Sequence, residues 1–449
     1  MDLISETVEV GGPKGPARER RYPTNTTVDL WDPTSFTHGP PLEAFAALRK
    51  ASPIAWNEEP GERTGFWSVT RYEDVMRINA DFETFSSQRG GILMAHQRSD
   101  MQLAKASLDT MINMDPPHHL QLRREHMPYF TPSYLRDVQV KVAGEVTRLL
   151  DAMAPQGKCD LVPSLSSQLP LFTLCEILGV PQEDRPKFLT WMHFLEMANS
   201  FAAERSGAAG GGGFAGAVAQ VPPEMQAFLD AFRAAIDDMF EYGRHMLHKR
   251  RADPQQDLMS AIARAQIDGE FLSDEYLDGS WLLIVFAGND TTRNTISGTM
   301  KLLSEFPDQK QRLIANPELM PGAVNEFIRM VSPVMYMRRT ATRDVEVAGQ
   351  EIAEGEKVIM YFGSANRDEA MFANPDVLDV TRANADKHVA FGYGPHTCIG
   401  KRVAQLQLEE VYRQILARFP DMRQDGPEVI GPNNFVYAIR SLPVAFTPR

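Results

Sequence analysis

The sequence predicts a mainly α fold with a smaller β-rich lobe, and three observations carry that prediction. The run from Pro132 to Arg251 has helical spacing almost throughout, in pieces Tyr134–Met153, Leu165–Leu178, Arg185–Phe201 and Glu224–Lys249. Two further helical patterns follow, Ser273 to Leu303 and the amphipathic Lys401 to Phe419. Aromatic and β-branched stretches are short and lie elsewhere: Gly65–Thr70, a hairpin over Val345–Phe362 turning at Glu354-Gly355, and strands within Asn433–Phe446.

Taken in order, residues 1 to about 28 read as a flexible arm, charged and proline-bearing, without the apolar run of a signal peptide or membrane anchor. Leu42, Phe45 and Leu48 mark a helix leading to Pro53-Ile54-Ala55-Trp56, and a turn at Pro60-Gly61 separates this from Gly65–Thr70 as a strand pair. Asp74–Ala80 is a short helix, and Phe82–Gln88 closes the lobe. Gly90–Asn113 is rich in methionine and leucine with weak periodicity, which suits a ligand wall and ordinary core equally. Asp115-Pro116-Pro117 breaks the chain before a helix at His118, on which His119 and Arg123 share a face; alone, such a pair is ordinarily a solvated face. The glycine run Gly210–Gly213 reads as a flexible connection or a plain surface insertion.

Composition narrows the function. A net charge of −13 argues against nucleic-acid binding. Cys159, Cys175 and Cys398 lack the spacing of a zinc site or a disulfide framework, which fits a reducing cytoplasm. The longest apolar run, Trp281–Ala287, is far short of a membrane span.

Two stretches carry chemistry. Within Ser273–Leu303, Ala287-Gly288-Asn289-Asp290-Thr291-Thr292 gathers poor helix formers in mid-helix, a conflict that tends to mark functional sites. Thr291 bonding back to a carbonyl of the preceding turn is the purely structural alternative. In Phe391–Gly400, FGYGPHTCIG, Cys398 stands where a glycine-rich loop gives way to a helix whose apolar face runs Ala404, Leu408, Val411, Ile415. A helix N-terminus favours the thiolate, and Gly400 leaves one side of the sulfur uncrowded. Taken alone, a cysteine in such a turn is more often a small buried hydrophobe.

The whole pattern F-x-x-G-x-H-x-C-x-G, matched by Phe391, Gly394, His396, Cys398 and Gly400, closely resembles the haem-binding loop of the cytochrome P-450 superfamily in its soluble bacterial form. The resemblance runs from about Phe36 to Pro448 and implies one cytochrome P-450 domain over 29–449, with the β-rich lobe mainly at about 50–88 and 334–390. It implies haem b with Cys398 as axial ligand, and a cofactor site including Phe391, Gly392, Ile399, Gly400 and Ala287. His396, His119, Arg123 and Arg339 take the propionate positions, with Arg338 as the alternative to Arg339. Gly288 makes room for dioxygen, Thr291 hydrogen-bonds its distal oxygen, and Asp290 relays protons. Glu326, Arg329 and Arg382, ordinarily exposed ion-pairing residues, match the family's buried structural triad.

The activity so implied is a monooxygenase that takes electrons from a separate ferredoxin and NAD(P)H reductase. The carrier would dock near Arg123, Arg124, Lys401 and Arg402, a basic cluster on an acidic protein. Pocket walls are expected from Ile92, Leu93, Met94, Phe194, Met197, Phe286, Val334, Met335 and Phe435, an apolar set suited to a sterol side chain, terpenoid, alkane or branched lipid. The alternatives are a peroxide-driven haem-thiolate hydroxylase, against which Asp290 and Thr291 argue, and a non-catalytic haem-based carrier or sensor.

Overall fold

The computed structural model describes residues 23–59, 65–94, 110–192, 194–195 and 223–448. Met197 and the run Gly210–Gly213 lie outside them, as do residues 1–22 and most of Gly90–Asn113.

The molecule is built around the long helix Asp274–Glu305. Leu277, Trp281, Val285, Ile296, Met300 and Leu303 are buried along its length, as expected of a helix that is enclosed rather than laid on a surface. Gln168–Leu178, Pro223–Ala252, Met320–Val331 and Lys401–Arg418 pack around it. Trp281 donates its indole N–H to the Met239 carbonyl at 3.0 Å. A Cβ at Gly243, beside it on Pro223–Ala252, would lie 2.5 Å from the Trp281 ring, so the close approach of these two helices requires glycine there.

Helix Pro132–Met153 starts where Thr131 accepts the N–H of Tyr134, and buries the stripe Leu135, Val138, Val142, Val146, Leu149, Met153. The Leu165–Leu178 pattern resolves into a π-helical turn, Val162–Ser166, followed by the α-helix Gln168–Leu178, which ends on Gly179 at φ +70°.

The β lobe is a five-stranded sheet. Ile54–Asn57 pairs antiparallel with Phe66–Val69, with Trp56 opposite Trp67. Lys357–Tyr361 runs parallel to Phe66–Val69 and antiparallel to Tyr336–Ala341, which in turn pairs with Phe85–Ser86. The single hairpin expected over Val345–Phe362 is corrected: Val345–Val347 pairs with Gln350–Ile352 around Ala348 and Gly349, both at positive φ. Gly355, also at positive φ, then turns the chain back onto the central sheet, where its N–H donates to Ala341. Two left-handed turns stand where one was expected. Beyond Ala365 the stretch to residue 390 is turns rather than strands.

Pro23 to Val28, the end of the expected arm, is bound to the sheet edge. Trp56 N–H donates to Pro23 and Asn25 N–H to Trp56, both at 2.8 Å.

Candidate active site

The cysteine loop is braced from within and from below. Cys398 N–H donates to the Phe391 carbonyl and Gly392 N–H to Val389, each at 2.8 Å. Gly392 and Gly394 sit at φ +68° and +71°, and a Cβ at Gly394 would lie 2.6 Å from the Asn79 carbonyl, so the loop seats directly on helix Tyr72–Ala80. The helix after the loop begins at Lys401, three residues past the sulfur, with Gly400 as its cap. A Cβ at Gly400 would stand 3.8 Å from Cys398 Sγ. Phe391 and Ile399 are half-buried against the main core, and the Lys401 ammonium lies 5.7 Å over the Phe391 ring.

Opposing effects act on the Cys398 sulfur. Protein atoms crowded around the sulfur push the Cys398 thiol above its ordinary pKa, although the residue keeps accessible surface, and the Gly400 N–H, the Arg123 charge and the Lys401 N–H pull it down. A thiol so placed ionises when a metal cation takes the proton's place.

Four basic side chains from three separate segments converge beside it. The His119 and His396 rings stack 4.0 Å apart at 32°. Burial, together with the charges of Arg123 and Arg339, lowers His119 to about 4 and His396 further, so both rings are neutral at pH 7. Burial lowers Arg339 to about 10. The strand alternation of Tyr336–Ala341 separates the two candidate arginines. Arg339 turns to Asn79 and the histidines, whereas Arg338 turns to the Leu93 carbonyl and Thr340. Among the described residues no carboxylate pairs with Arg123 or Arg339, and His119 Nδ1 is buried without a hydrogen-bond partner. Asp115 serves instead to join lobes, accepting the Ser87 N–H at 2.8 Å and the Ser86 hydroxyl.

On the long helix, Ala287 is exposed and Thr291 half-buried, although Val285, Asn289 and Asp290 beside them are buried. Thr291 donates back to the Ala287 carbonyl at 3.2 Å, so the structural alternative is realised in this geometry. The Asp290 carboxylate is held by Arg293 and, at 3.3 Å, by Asn294 Nδ2. A Cβ at Gly288 would lie 3.1 Å from Leu174 Cδ1, so its small size also lets Gln168–Leu178 pack close. Ala287 is the most exposed position of the cluster.

Glu326 and Arg329 are completely buried. Arg329 grips both carboxylate oxygens at 2.7 and 2.8 Å, Arg382 Nε donates to Glu326 at 2.9 Å, and Arg329 also donates to the Asn366 and Pro375 carbonyls. Asn366 Oδ1 accepts the Val389 N–H at 2.7 Å, so the ion network reaches the base of the cysteine loop.

The expected pocket walls are only partly brought together. Met335 N–H donates to the Phe435 carbonyl, Val334 bridges Val436, and the Phe435 ring meets Tyr336 edge-on at 5.2 Å. Ile92 and Leu93 reach the same strand through Arg338, and Met94 N–H donates to the Tyr336 hydroxyl. Met94 and Met335 are core, and Val334 packs on the sheet's own cluster. Phe194 stands apart against Phe228, and Phe286 is half-buried on the long helix. Sequence reasoning missed Asn79, Ser87 and Asn294, polar residues whose partners lie far along the chain; Ser87 Oγ lies 3.4 Å from His396 Nε2.

The family model for cytochrome P450 matches residues 38–436. The chain belongs to the cytochrome P450 family. Linalool 8-monooxygenase of Pseudomonas putida is 33% identical to it over 427 residues, covering 94% of this chain and 99% of that protein. Steroid C26-monooxygenase of Mycobacterium tuberculosis is 34% identical over 424 residues, covering 94% and 97%. Among solved structures, a Mycobacterium marinum cytochrome P450 in complex with pseudoionone superposes with a TM-score of 0.81 at 32% identity, covering 96% of this chain and 100% of that one. This P450 is a monooxygenase that binds haem through a cysteine thiolate, and it uses dioxygen and a hydrophobic substrate. Its residues fit that group: a cluster of arginines and imidazoles in which His119 Nδ1 is left without a hydrogen-bond partner, and a loop sulfur with one side left open by glycine. Among the described residues no helix is long and apolar enough to cross a membrane.

Proposed function

We propose that this P450 hydroxylates a terpenoid or a steroid side chain, with Cys398 as the haem's axial ligand and 29–449 working as one domain. The observation that carries the site assignment is the convergence of His119, Arg123, Arg339 and His396, with no carboxylate ion-paired to either arginine among the described residues, beside the exposed cysteine of a glycine loop. Two arginines and two neutral imidazoles suit a pair of carboxylates better than they suit each other. The haem supplies reductive activation of dioxygen and insertion of one oxygen atom into a C–H bond.

The chain's own residues orient and move protons. Ala287, with its single methyl, leaves space at the centre of the long helix. The Thr291 hydroxyl, donating to Ala287, keeps its lone pairs free to accept a proton-bearing partner. Asp290, one residue before it, relays protons from solvent, its carboxylate held in place by Arg293 and Asn294. Asp290→Asn is expected to lower the product-forming rate by about 10²-fold, the scale of one lost general acid, while leaving haem binding unchanged. Thr291→Ala should instead raise the peroxide released per NADH. Stopped-flow turnover with peroxide assay separates the two, and equal, unchanged values in both variants would remove the pair from proton delivery.

The substrate class rests on apolar walls at Phe435, Phe286 and Ile92 and on the substrates named for similar P450s, linalool and steroids. Titrating the ferric protein with linalool, a sterol ketone, a long alkane and small aromatic acids tests it. The largest spin-state shift should come from the first two, and a response to aromatic acids alone would overturn the assignment.

Electrons come from a separate acidic ferredoxin and its reductase. Arg124 and Arg402 are exposed, Lys401 is half-buried over Phe391, and Arg123 belongs to the anion cluster, so docking charge comes chiefly from the first two. Arg124→Glu combined with Arg402→Glu should slow reduction about tenfold at low salt, with the difference shrinking near 1 M salt as screening removes steering. A reduction rate unaffected at both ionic strengths would place the carrier elsewhere.

A further inference from the structure

Asn294 lies one turn beyond Asp290 and is completely buried. Its Nδ2 donates to the Asp290 carbonyl at 2.9 Å and reaches the carboxylate at 3.3 Å. Its Oδ1 accepts the N–H of Ile439 at 2.8 Å. Ile439 belongs to the strand Ala438–Ser441, and four residues earlier the same segment carries Phe435. That segment is pinned along its length: Asn433 accepts the N–H groups of Phe435 and Val436, and Tyr437 N–H donates to Pro333 at 2.8 Å. It therefore has few ways to yield at Phe435 without moving Ile439. Only an amide offers a donor and an acceptor at opposite ends of so short a side chain, and with both ends used it cannot turn without leaving buried groups unpaired.

We infer that Asn294 is a positioning residue for the Asp290 carboxylate, tying it to the segment that carries Phe435 so that what presses on Phe435 is felt at the acid. The inference rests on the reading of Asp290 as proton carrier. It makes proton delivery depend on how the pocket is filled, through one bridge between helix and strand.

The test uses the holoenzyme with ferredoxin, reductase, NADH and linalool as probe, reading peroxide formed per NADH and the ratio of NADH consumption rates in H2O and D2O. Asn294→Ala should raise both several-fold while leaving the carbon-monoxide spectrum unchanged, and amide exchange at Ile439 should quicken by about tenfold for the lost buried hydrogen bond. Phe435→Ala should raise peroxide in the parent enzyme but add little in the Asn294→Ala background, a coupling that a merely structural role would not produce. Should Asn294→Ala fail to fold, Asn294→Asp keeps the acceptor for Ile439 and replaces the donation to Asp290 by a second carboxyl that repels it; it should retain exchange protection yet raise peroxide. Additive effects of the two substitutions, or a peroxide fraction and isotope ratio unchanged by Asn294→Ala, would overturn the inference. An isotope ratio unchanged in Asp290→Asn would instead identify failure of the underlying reading.

Discussion

Cys398→Ser is expected to abolish the long-wavelength Soret band of the dithionite-reduced, carbon-monoxide-treated protein and to reduce turnover to background. Under the proposed assignment the sulfur is the donor that pushes electron density onto haem iron, and a serine hydroxyl neither ionises nor shares charge comparably. Its geometry makes the comparison clean. The loop is braced by Cys398 N–H to Phe391 O and by Gly392 N–H to Val389 O, backbone bonds that serine preserves, so the substitution removes chemistry rather than shape. Cys175 and Cys159 are internal controls. Cys175 is core, its thiol pushed by burial to about 12, and Cys159 sits in a strand paired with Val444. Serine at either should leave the band intact. A Cys398→Ser protein that kept the band would transfer the ligand role to another residue.

Glu326→Gln is expected to be the most destabilising single conservative change. The carboxylate has no solvent exposure and neutralises two guanidinium groups, Arg329 through a two-pronged contact and Arg382 through Nε. An amide of the same shape cannot neutralise either, and breaking a buried ion pair from one side costs about 3–5 kcal/mol. Because Arg329 also holds Asn366, and Asn366 holds Val389 at the base of the cysteine loop, haem retention should fall together with stability. Urea unfolding followed by tryptophan fluorescence, with haem content measured in parallel, checks both. A midpoint within error of the parent's would mean the triad contributes specificity rather than stability. Arg329→Lys is expected to be nearly as damaging, since a point charge cannot reproduce the planar fork that also reaches the carbonyls of Asn366 and Pro375.

Much of the helical frame was legible because its signals are local. The helix over Tyr134–Met153 and Ser273 at the start of the long helix each follow from spacing and neighbouring residue types. The order of residues in FGYGPHTCIG was likewise enough to single out Cys398, and D-P-P-x-H and E-x-x-R enough to single out His119, Glu326 and Arg329. Strand partnership was not legible in the same way. Nothing near Lys357 says that it lies parallel to Phe66, nearly three hundred residues earlier, and so Val345–Phe362 reads as one hairpin until the second left-handed turn at Ala348-Gly349 is seen.

By itself the sequence determined most of the helices and the cysteine loop, because periodicity and motif spacing are properties of neighbouring residues, and the resemblance of that loop pointed to a haem-thiolate family. Only the tertiary structure decided which face each side chain presents. It sent Arg339 rather than Arg338 to the histidines, packed Leu174 against Gly288, and set Asn294 between Asp290 and Ile439. Those outcomes depend on burial and on partners remote along the chain, which desolvation and packing set once the fold has closed.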